Sequence, residues 1–303
     1  MRWIIKKIVK KIVDLLPSEA YATLLDLFYR RSTAPRQLQF LLKQTYTNFK
    51  PNSTESEIFD EVGFNLYSQT YEDGILLYVF SKIGTSNQRC VDIGAGTING
   101  SNVANLIINH SFSGLLIDGN SKHIREAEKY YMSHPETYLF SPKLVCQLVT
   151  AENVDQLLNS NGFAGEIDLL GIDIDGIDYW IWDAIEVITP RVVVVEYNCL
   201  LGPDRAWSIP YKPDFDVHDY SVNHEQYNYS GASLNAFVKL GRKKGYRLVG
   251  CNKGGGNAFF IKNAVGEESL PEITTRSCFK YDWNKYSMEK RFTLIKDMEW
   301  IEV

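Results

Sequence analysis

The hydrophobic positions of this chain form short apolar runs from about residue 59 onward, and stretches with helical spacing separate most of these runs. Runs of four to six apolar and β-branched residues are typical of buried strands in a parallel sheet. The alternation therefore predicts a doubly wound α/β domain with helices on both faces. The predicted strands are 89–93, 114–117, 144–149, 167–172, 191–196, 246–251 and 258–262. The predicted helices between them are 102–109, 121–132, 154–160, 180–188 and 233–244.

The last two predicted strands break this alternation, because only residues 252–257 separate them. A crossover between parallel strands needs a dozen or more residues, so this pair must form an antiparallel hairpin. The predicted fold is thus a seven-stranded, mostly parallel sheet with an antiparallel terminal hairpin. It resembles the Rossmann-like fold of class I S-adenosylmethionine-dependent methyltransferases. We divide the chain into an N-terminal helical extension (1–58), a methyltransferase domain (59–265) with a lid insertion (199–231), and a C-terminal extension (266–303).

The first sixteen residues form an amphipathic pattern. At helical spacing, eight apolar residues fall on one broad face, Lys6, Lys7, Lys10 and Lys11 fall on the other, and Pro17 ends the helix. A short basic helix of this kind suits the surface of an anionic membrane. It equally suits a helix that packs on its own domain or forms a homo-oligomer, since amphipathicity alone does not separate these uses.

Charge is distributed unevenly along the chain. The net charge of −5 combines ten basic and three acidic residues in 1–50 with 22 basic and 34 acidic residues in 51–303. The acidic body lacks the basic face of a nucleic-acid-binding protein, so nucleic acid is excluded as a partner. The five cysteines are widely spaced, without a CxxC pair, and no apolar run reaches the ~18 residues of a membrane span. These features predict a cytoplasmic protein, and the membrane interpretation of residues 2–16 would place it at the inner face of the membrane.

A glycine-rich turn follows the first predicted strand. Gly94 and Gly96 permit a tight turn, and their GxGxxxG spacing differs from the GxGxxG of dinucleotide sites. Asp92, just ahead of the turn, would repel a pyrophosphate but can accept a hydrogen bond from an amino-acid group. Asp118 ends the second strand, where a carboxylate can bind both ribose hydroxyls. In methyltransferases of this class the loop after the third strand contacts adenine; here it holds Ala151, Glu152 and Asn153. The ordered set favours S-adenosylmethionine over NAD(P).

Further motifs extend the resemblance over about residues 63–262. They are SQTYEDGIL, VDIGAG, GIDIDGIDYWIW, VVVVEYN, YSGASL and NAFF, in that order. Together they resemble the FkbM-like methyltransferases of bacterial glycan and natural-product pathways. The resemblance implies O-methylation of a sugar hydroxyl on a glycan or polysaccharide intermediate. It also implies that Gln69 and Glu72 lie near the methionine end of the cofactor.

Acidic residues gather where predicted strands four and five end. Asp173 and Asp175 follow strand four, whereas Glu196 and Asn198 lie at the end of strand five. Because parallel strands end at one edge of the sheet, we expect these groups to lie close together, with Asp173 beside the cofactor. Carboxylates this close repel unless they are protonated, paired or bridged by a cation.

Two interpretations of this acidic cluster stay open. Asp173, Glu196 and Asn198 match the ligand pattern of metal-dependent O-methyltransferases of this fold, and their oxygens would select Mg²⁺ or another hard divalent cation. Such a cation would lower the pKa of the acceptor hydroxyl. Alternatively, Asp173 or Asp175 is a metal-free general base, while Asp178 only caps the following helix.

The insertion 199–231 mixes aromatic and polar residues, as a functional lid or binding loop does. Aromatic rings suit the apolar faces of a sugar, and the predicted acceptor contacts are Tyr197, Trp207, Tyr211 and Tyr229. His218 is the histidine we expect as a general base, because its ordinary pKa lies near neutrality. A surface flap or a dimer contact is the alternative for this insertion.

Two further functions remain as hypotheses. The first is a cofactor-binding but catalytically silent partner within a biosynthetic complex. The second is an NAD(P)-dependent oxidoreductase, which Asp92 and the terminal hairpin disfavour.

Overall fold

A computed structural model describes residues 36–49, 57–220 and 228–303 of the protein. The predicted amphipathic helix at residues 2–16 lies outside these ranges. No helix in the described part is long and apolar enough to cross a membrane.

The described helices and strands follow one another in the predicted alternation. In chain order they are α1 (Arg36–Asn48), α2 (Ile58–Val62), α3 (Glu72–Ile83), β1 (Arg89–Ile93), α4 (Ala104–His110), β2 (Ser113–Asp118), α5 (Ser121–Ser133), β3 (Lys143–Cys146), α6 (Val154–Ser160), β4 (Gly165–Ile172), α7 (Asp178–Ala184), β5 (Ile188–Glu196), β6 (Trp207–Ser208), α8 (Leu234–Lys244), β7 (Tyr246–Cys251), β8 (Asn257–Lys262), α9 (Asp282–Tyr286) and β9 (Ile301–Glu302). Short 3-10 turns at Cys199–Leu201, Val217–Tyr220, Thr275–Cys278 and Phe292–Leu294 and a π-turn at Ser287–Arg291 complete the set.

Seven strands form one sheet in the order β3-β2-β1-β4-β5-β8-β7. Strands β1 to β5 are mutually parallel, whereas β8 runs antiparallel to both β5 and β7. The predicted fold class, including the terminal hairpin, is therefore confirmed. The register pairs Glu196 with Asn257, so the hairpin tip (252–256) lies at the edge where the parallel strands end. We call that edge the carboxyl rim, and the opposite edge, where β1 to β5 begin, the amino pole.

Two apolar layers cover the sheet, because successive strand residues point to opposite faces. Helices α6, α7 and α8 cover one face, with Trp182 and Phe237 among its buried residues. Helices α2, α3, α4 and α5 cover the other face, where Phe59, Ile75 and Phe259 are buried. Helix α7 ends four residues earlier than predicted, because the backbone N–H groups that follow it donate to the Asp155 carboxylate instead of continuing the helix.

A buried ion pair anchors the amino pole. Asp168 on β4 is fully buried and accepts hydrogen bonds from Arg191 and from the three successive backbone N–H groups of residues 86–88. Burial alone would raise the pKa of Asp168, but Arg191 and these N–H groups outweigh it and lower that pKa. The pair ties the loop before β1 to two central strands.

The C-terminal residues 266–303 pack against the insertion. Strand β9 pairs antiparallel with β6, and Trp300 stacks on Trp207 with 6.5 Å between the ring centroids. The Tyr229 hydroxyl donates to the Glu299 carbonyl at 2.6 Å. The last residues of the chain therefore form one wall of the insertion.

Candidate functional site

The glycine-rich turn after β1 lies directly against the loop after β4. A Cβ atom on Gly94 would stand 1.8 Å from the Asp173 carbonyl oxygen, and Gly94 adopts a φ of +82°. The Asp173 N–H donates to the Ile93 carbonyl at 2.9 Å, which holds the two segments together. Only glycine fits this position, so the turn predicted to bind the cofactor and the predicted catalytic loop form one continuous surface.

Asp92 lies behind this turn and is almost fully buried. Its carboxylate accepts a hydrogen bond from the Ser101 hydroxyl at 3.1 Å. Burial raises the pKa of Asp92 to about 6, against the lowering effect of that hydrogen bond. A buried carboxyl group whose pKa is raised in this way is typical of a functional site.

Asp118 connects the end of β2 to the glycine turn. One carboxylate oxygen accepts the Gly96 N–H at 2.8 Å, and the other accepts the Asn120 N–H at 2.6 Å. His123 lies 3.3 Å from the first of these oxygens. A carboxylate oxygen has more than one acceptor position, so Asp118 keeps capacity for the ribose hydroxyls that the sequence assigns to it.

The segment before α3 reaches the same rim. The exposed Gln69 side chain lies over Gly100, where an added Cβ would be 2.5 Å from the Gln69 Nε2. Glu72 is fully buried, and it accepts hydrogen bonds from Thr70, Asn252 and Asn257. Glu72 thus fastens the hairpin tip to α3, and its predicted contact with the cofactor stays a prediction.

Tyr211 of the insertion contacts the loop after β3. The Tyr211 hydroxyl accepts the Ala151 N–H at 3.0 Å and donates to the Glu152 carboxylate at 2.5 Å. That hydrogen bond lowers the pKa of Glu152. Asn153 shapes the loop, because it bonds to the backbone of Thr150 and Leu148. Tyr211 therefore joins the predicted adenine loop to the predicted acceptor lid.

The structure brings Asp173, Asp175 and Glu196 together at the rim. One carboxylate oxygen of each lies within 4.8 Å of the others. Burial first, and then repulsion from neighbouring carboxylates, raises the pKa of Asp173 and of Glu196 well above the ordinary range. A hydrogen bond joins the two carboxyls; it lowers the pKa of Asp173 and raises that of Glu196, so the two groups titrate as a pair.

Asp178 shapes the loop after β4 (residues 173–177), which we call the acidic loop. Its carboxylate does not cap the following helix, so the predicted capping role was wrong. Helix α7 begins at Asp178 itself, and its N-cap residue, Ile177, makes no side-chain cap bond. The Asp178 carboxylate accepts the N–H groups of Ile174 at 2.8 Å and Gly176 at 3.0 Å. These bonds bracket Asp175, whose φ of +56° is rare for a residue other than glycine.

The side-chain amide of Asn198 is hydrogen-bonded to the backbone of the insertion. Its amide oxygen accepts the Leu200 N–H at 3.0 Å, and its amide nitrogen donates to the carbonyls of Asn228 and Ser230 at 2.9 Å. The third group that the structure brings to Asp173 and Glu196 is therefore Asp175, which the sequence offered as a catalytic residue and as an alternative to Asp173 in the metal set.

A cavity of about 360 Å³ opens inside the insertion. Tyr211 and Tyr229, two of the four predicted acceptor contacts, line it. Its other walls include Phe215, Tyr220 and Met298, so the C-terminal extension contributes to it. The Phe215 ring covers the acidic loop, because a Cβ on Gly176 would be 2.6 Å from that ring. The cavity thus stands beside the carboxylate cluster.

The remaining predicted residues, Tyr197, Trp207 and His218, do not line this cavity. Tyr197 is 3% exposed and packs edge-on against Phe279, and Trp207 stacks on Trp300. Burial raises the pKa of Asp175, and the nearby, exposed His218 opposes that rise only in part. The acceptor roles of Tyr197 and Trp207 and the base role of His218 stay predictions.

Phe215, Tyr220 and Met298 were missed as site residues by sequence reasoning. Phe215 and Tyr220 belong to the aromatic insertion, and their ring planes stack at 5.2 Å between centroids. The aromatic content of the insertion was the available signal. Met298 carried no local signal, because its contact comes from a distant part of the chain.

No protein-family model and no curated protein matches this chain. Among solved structures it is similar to a proposed caffeoyl-CoA O-methyltransferase from Staphylococcus aureus, with 13% identity, 80% of this chain and 98% of that chain covered, and a TM-score of 0.42. The magnesium protoporphyrin IX methyltransferase of Synechocystis PCC 6803 with bound SAM has 8% identity, coverages of 77% and 99%, and a TM-score of 0.40. PKMT2 from Rickettsia typhi in complex with AdoHcy has 10% identity, coverages of 67% and 55%, and a TM-score of 0.42. These similarities are too low to transfer any substrate to this chain.

The contact at Gly94 gives a graded prediction for glycine substitutions at the rim. Gly94→Ala should lower the free energy of unfolding by more than about 2 kcal/mol and abolish binding of S-adenosylhomocysteine, because the methyl group collides with backbone. Gly96→Ala, with a φ of +58° but no atom nearer than 4.0 Å, should lose only about 1 kcal/mol. Gly256→Ala is the matched control, because nothing lies within 4 Å of the added Cβ. Chemical denaturation and calorimetry measure both effects; equal losses for Gly94 and Gly256 would contradict the steric argument.

Asp92 gives a prediction for the pH dependence of stability. Its folded-state pKa of about 6 lies above the ordinary value of 3.8, so the charged form destabilises the folded state above pH 6. Asp92→Asn should therefore raise the free energy of unfolding by about 2–3 kcal/mol at pH 8, at about 1.4 kcal/mol per pKa unit. The gain should nearly vanish at about pH 3, below the unfolded-state pKa of 3.8, where Asp92 is mostly protonated in both states of the wild type. Denaturation curves at the two pH values test this, and an equal gain at both would exclude the carboxylate charge as its cause.

Proposed function

We propose that this chain is an S-adenosylmethionine-dependent O-methyltransferase of the FkbM-like type that methylates a sugar hydroxyl of a glycan or polysaccharide intermediate. The observation that carries the proposal is the direct contact between Gly94 and the Asp173 backbone. This contact joins a glycine turn suited to the cofactor to a carboxylate cluster suited to the acceptor proton. Methyl transfer needs these two elements within a few ångströms of each other.

The residues at the rim fit the cofactor. Gly94 and Gly96 leave the turn without side chains, so a ligand can approach its backbone closely. Buried Asp92 beneath the turn suits an ammonium group or a water that carries its hydrogen bonds, and Asp118 suits the ribose. Gln69 lies over Gly100 at the other side of the turn. S-adenosylmethionine, when bound, supplies a methyl group activated by a positively charged sulfur.

The cavity in the insertion suits the acceptor. Tyr211, Phe215 and Tyr229 line it with aromatic rings that suit the apolar face of a sugar, while the neighbouring carboxylates can accept hydrogen bonds from its hydroxyls. The sequence motifs of the glycan-associated branch support the same acceptor class. Two elements, the β3 loop and the acidic loop, hold this cavity against the cofactor turn.

The chain's own residues have two tasks in such a reaction. The insertion orients the acceptor oxygen in line with the methyl group, and the rim excludes water around it. The acceptor hydroxyl loses its proton as the new carbon–oxygen bond forms, and the cluster of Asp173, Asp175 and Glu196 takes up that proton. Asp178 keeps Asp175 in place through its two backbone hydrogen bonds.

The same three carboxylates fit a hard divalent cation. One oxygen from each converges within 4.8 Å, and oxygen ligands of this kind select Mg²⁺ or a similar ion. A cation held by Asp173, Asp175 and Glu196 would relieve their mutual repulsion. It would also lower the pKa of an acceptor hydroxyl.

Binding and turnover together test the activity. Wild type should bind S-adenosylhomocysteine by calorimetry and transfer a labelled methyl group to a sugar in a panel of nucleotide sugars and oligosaccharides. Asp118→Asn should weaken S-adenosylhomocysteine binding by tenfold or more. Glu196→Gln should keep that binding but lower turnover by about 10²–10⁴-fold, as loss of a proton acceptor does.

Asp214→Asn is the matched control, because this acid of the insertion is exposed and pairs only weakly with Lys212 at 3.7 Å. Binding of NAD(H) without either sulfur cofactor would overturn the proposal. Binding of S-adenosylhomocysteine without transfer to any acceptor would instead favour a catalytically silent partner.

Removal of cations tests the metal separately. Mg²⁺ or Mn²⁺ should raise the melting temperature of the dialysed wild type and leave that of Glu196→Gln unchanged. Turnover should fall after chelation and dialysis and recover when the cation is added. Undiminished turnover after chelation, with no gain from Mg²⁺, would remove the cation and leave the carboxylates as the proton acceptor.

A further inference from the structure

A second cavity, of about 470 Å³, lies at the amino pole. Helix α1 forms one of its walls, and the other wall comes from Gln88, just before β1, and from the end of α4 and the turn after it. We call this space the amino-pole cavity. Its volume falls within the range of about 300–1,000 Å³ that is usual for small-molecule sites.

Two cations line the amino-pole cavity. They are Arg36 and Lys43, and none of the nine lining residues is acidic. The two cations are seven residues apart on α1, so two helical turns bring them to the same side of that helix. Burial first, and then the charges of Lys43 and Arg36, lower the pKa of His110 on the opposite wall to about 4. His110 is therefore neutral at pH 7, and the positive charge of the cavity comes from α1.

Glu136 compensates one of these charges in part. Its carboxylate pairs with the Arg36 guanidinium at 3.0 Å, but both side chains of this pair are about half exposed. Water and salt weaken an ion pair in such a position. Glu136 does not line the cavity. Arg36 thus keeps its ability to attract a further anion.

Hydrogen bonds hold the two walls in place. The Arg36 guanidinium donates to the Ser111 hydroxyl at 3.1 Å. Gln39, on the buried face of α1, accepts hydrogen bonds from Asn105 at 3.0 Å and from the His110 ring at 2.9 Å. These contacts fasten α1 to α4, so the fold itself sets the position of the cations.

A buried donor without a partner adjoins the cavity wall. The Gln39 amide nitrogen is buried and has no hydrogen-bond partner among the described residues. It belongs to the same planar group as the oxygen that contacts His110, so it lies next to the lining. Buried N–H groups are normally paired. An oxygen atom of a ligand, or of a water that the ligand holds, would supply the missing acceptor.

We infer that the amino-pole cavity binds a small phosphomonoester, with its phosphate between Arg36 and Lys43. A phosphate group carries more than one negative charge and several oxygens, so it can contact both cations at once. A guanidinium donates two parallel hydrogen bonds to such a group, and an ammonium acts on it as a point charge.

The rest of the cavity suits the organic part of the ester. Gln44 and Thr47 line it with an amide and a hydroxyl group, which can bond to the hydroxyls of a sugar. Phe40 also lines it and is 59% exposed, so its ring offers an apolar contact. A sugar phosphate and a nucleoside monophosphate share this chemistry. A nucleic acid chain fits less well, because two cations do not form the extended basic face that it needs.

The amino-pole cavity is separate from the proposed methyltransferase site. Strand β4 has eight residues and spans roughly 26 Å between the two edges of the sheet, at about 3.3 Å per residue. A ligand at the amino pole therefore does not touch the turn at Gly94 or the acidic loop. The inference is independent of the proposed methyl transfer.

Calorimetry with the full chain tests the inference. Glucose-6-phosphate and adenosine monophosphate are the probes, and S-adenosylhomocysteine is present in excess throughout, so that a probe does not enter the carboxyl rim. At least one ester should bind wild type about tenfold or more tighter than unphosphorylated glucose or adenosine at equal ionic strength. The tighter of the two esters identifies the organic part.

Substitutions at Lys43 locate the phosphate. Lys43→Gln should weaken binding of the ester by about tenfold or more, because one of two cations is lost, whereas Lys43→Arg should stay within about threefold of wild type. Lys129→Gln is the matched control, because Lys129 is exposed on α5 and does not line the cavity. This variant makes the same change in net charge and should bind like wild type.

Hydrogen exchange with and without the ester tests the location without any substitution. Peptides that cover 36–47 and 105–112 should become protected, whereas peptides that cover 94–100 and 207–220 should not. Protection at the rim in place of the pole, or equal binding by wild type and Lys43→Gln, would overturn the inference. Binding of inorganic phosphate but of neither ester, or no binding of either ester at millimolar concentration, would overturn it as well.

Discussion

The close approach of Gly94 to the Asp173 carbonyl is the constraint on which the rest of the site depends. It exists because β1 and β4 are neighbours in the sheet and because the residue after β1 has no side chain. The turn that follows β1 can then stay tight, with Gly96 donating to Asp118, while the loop after β4 turns its carboxylates toward Glu196 on β5. Any side chain at residue 94 would separate these segments, and with them the two halves of the proposed site.

A concentration of carboxyl groups at one edge opposes folding, and the structure shows how this is limited. Asp178 accepts two backbone N–H groups, and Asp92 accepts the Ser101 hydroxyl, so their charges are partly compensated. Asp173 and Glu196 face each other, and the repulsion between their two carboxylates is relieved only when the pair holds a proton or a cation. At the amino pole, by contrast, Asp168 has Arg191 and three N–H groups and is stabilising as an anion. The carboxyl groups at the rim therefore have fewer compensating partners than Asp168. This is expected for groups that are kept for function and not for stability.

The sequence predicted the fold better than the site, for a physical reason. Strand periodicity and the short 252–257 connection are local, so the sheet, its hairpin and the rim positions of Asp92, Asp118, Asp173 and Glu196 follow from pattern alone. The bond from Tyr211 to Ala151 joins residues 60 positions apart, and the bond from Tyr229 to Glu299 joins residues 70 apart. No local pattern encodes such pairings. Asn198 likewise had the right residue type and position for a ligand, but tertiary contacts with residues 228 and 230 engage its amide elsewhere.

Parallel topology also explains why the carboxyl groups of the proposed site gather at one end of the molecule. Each crossover helix returns the chain to the edge where strands begin, so turns such as 134–142 collect there, while the strand ends that carry Asp118, Asp173 and Glu196 collect at the other edge. The net charge of −5 therefore describes neither part of the chain: residues 1–50 carry ten basic and three acidic residues, whereas part of the acidic excess of residues 51–303 lies at the carboxyl rim.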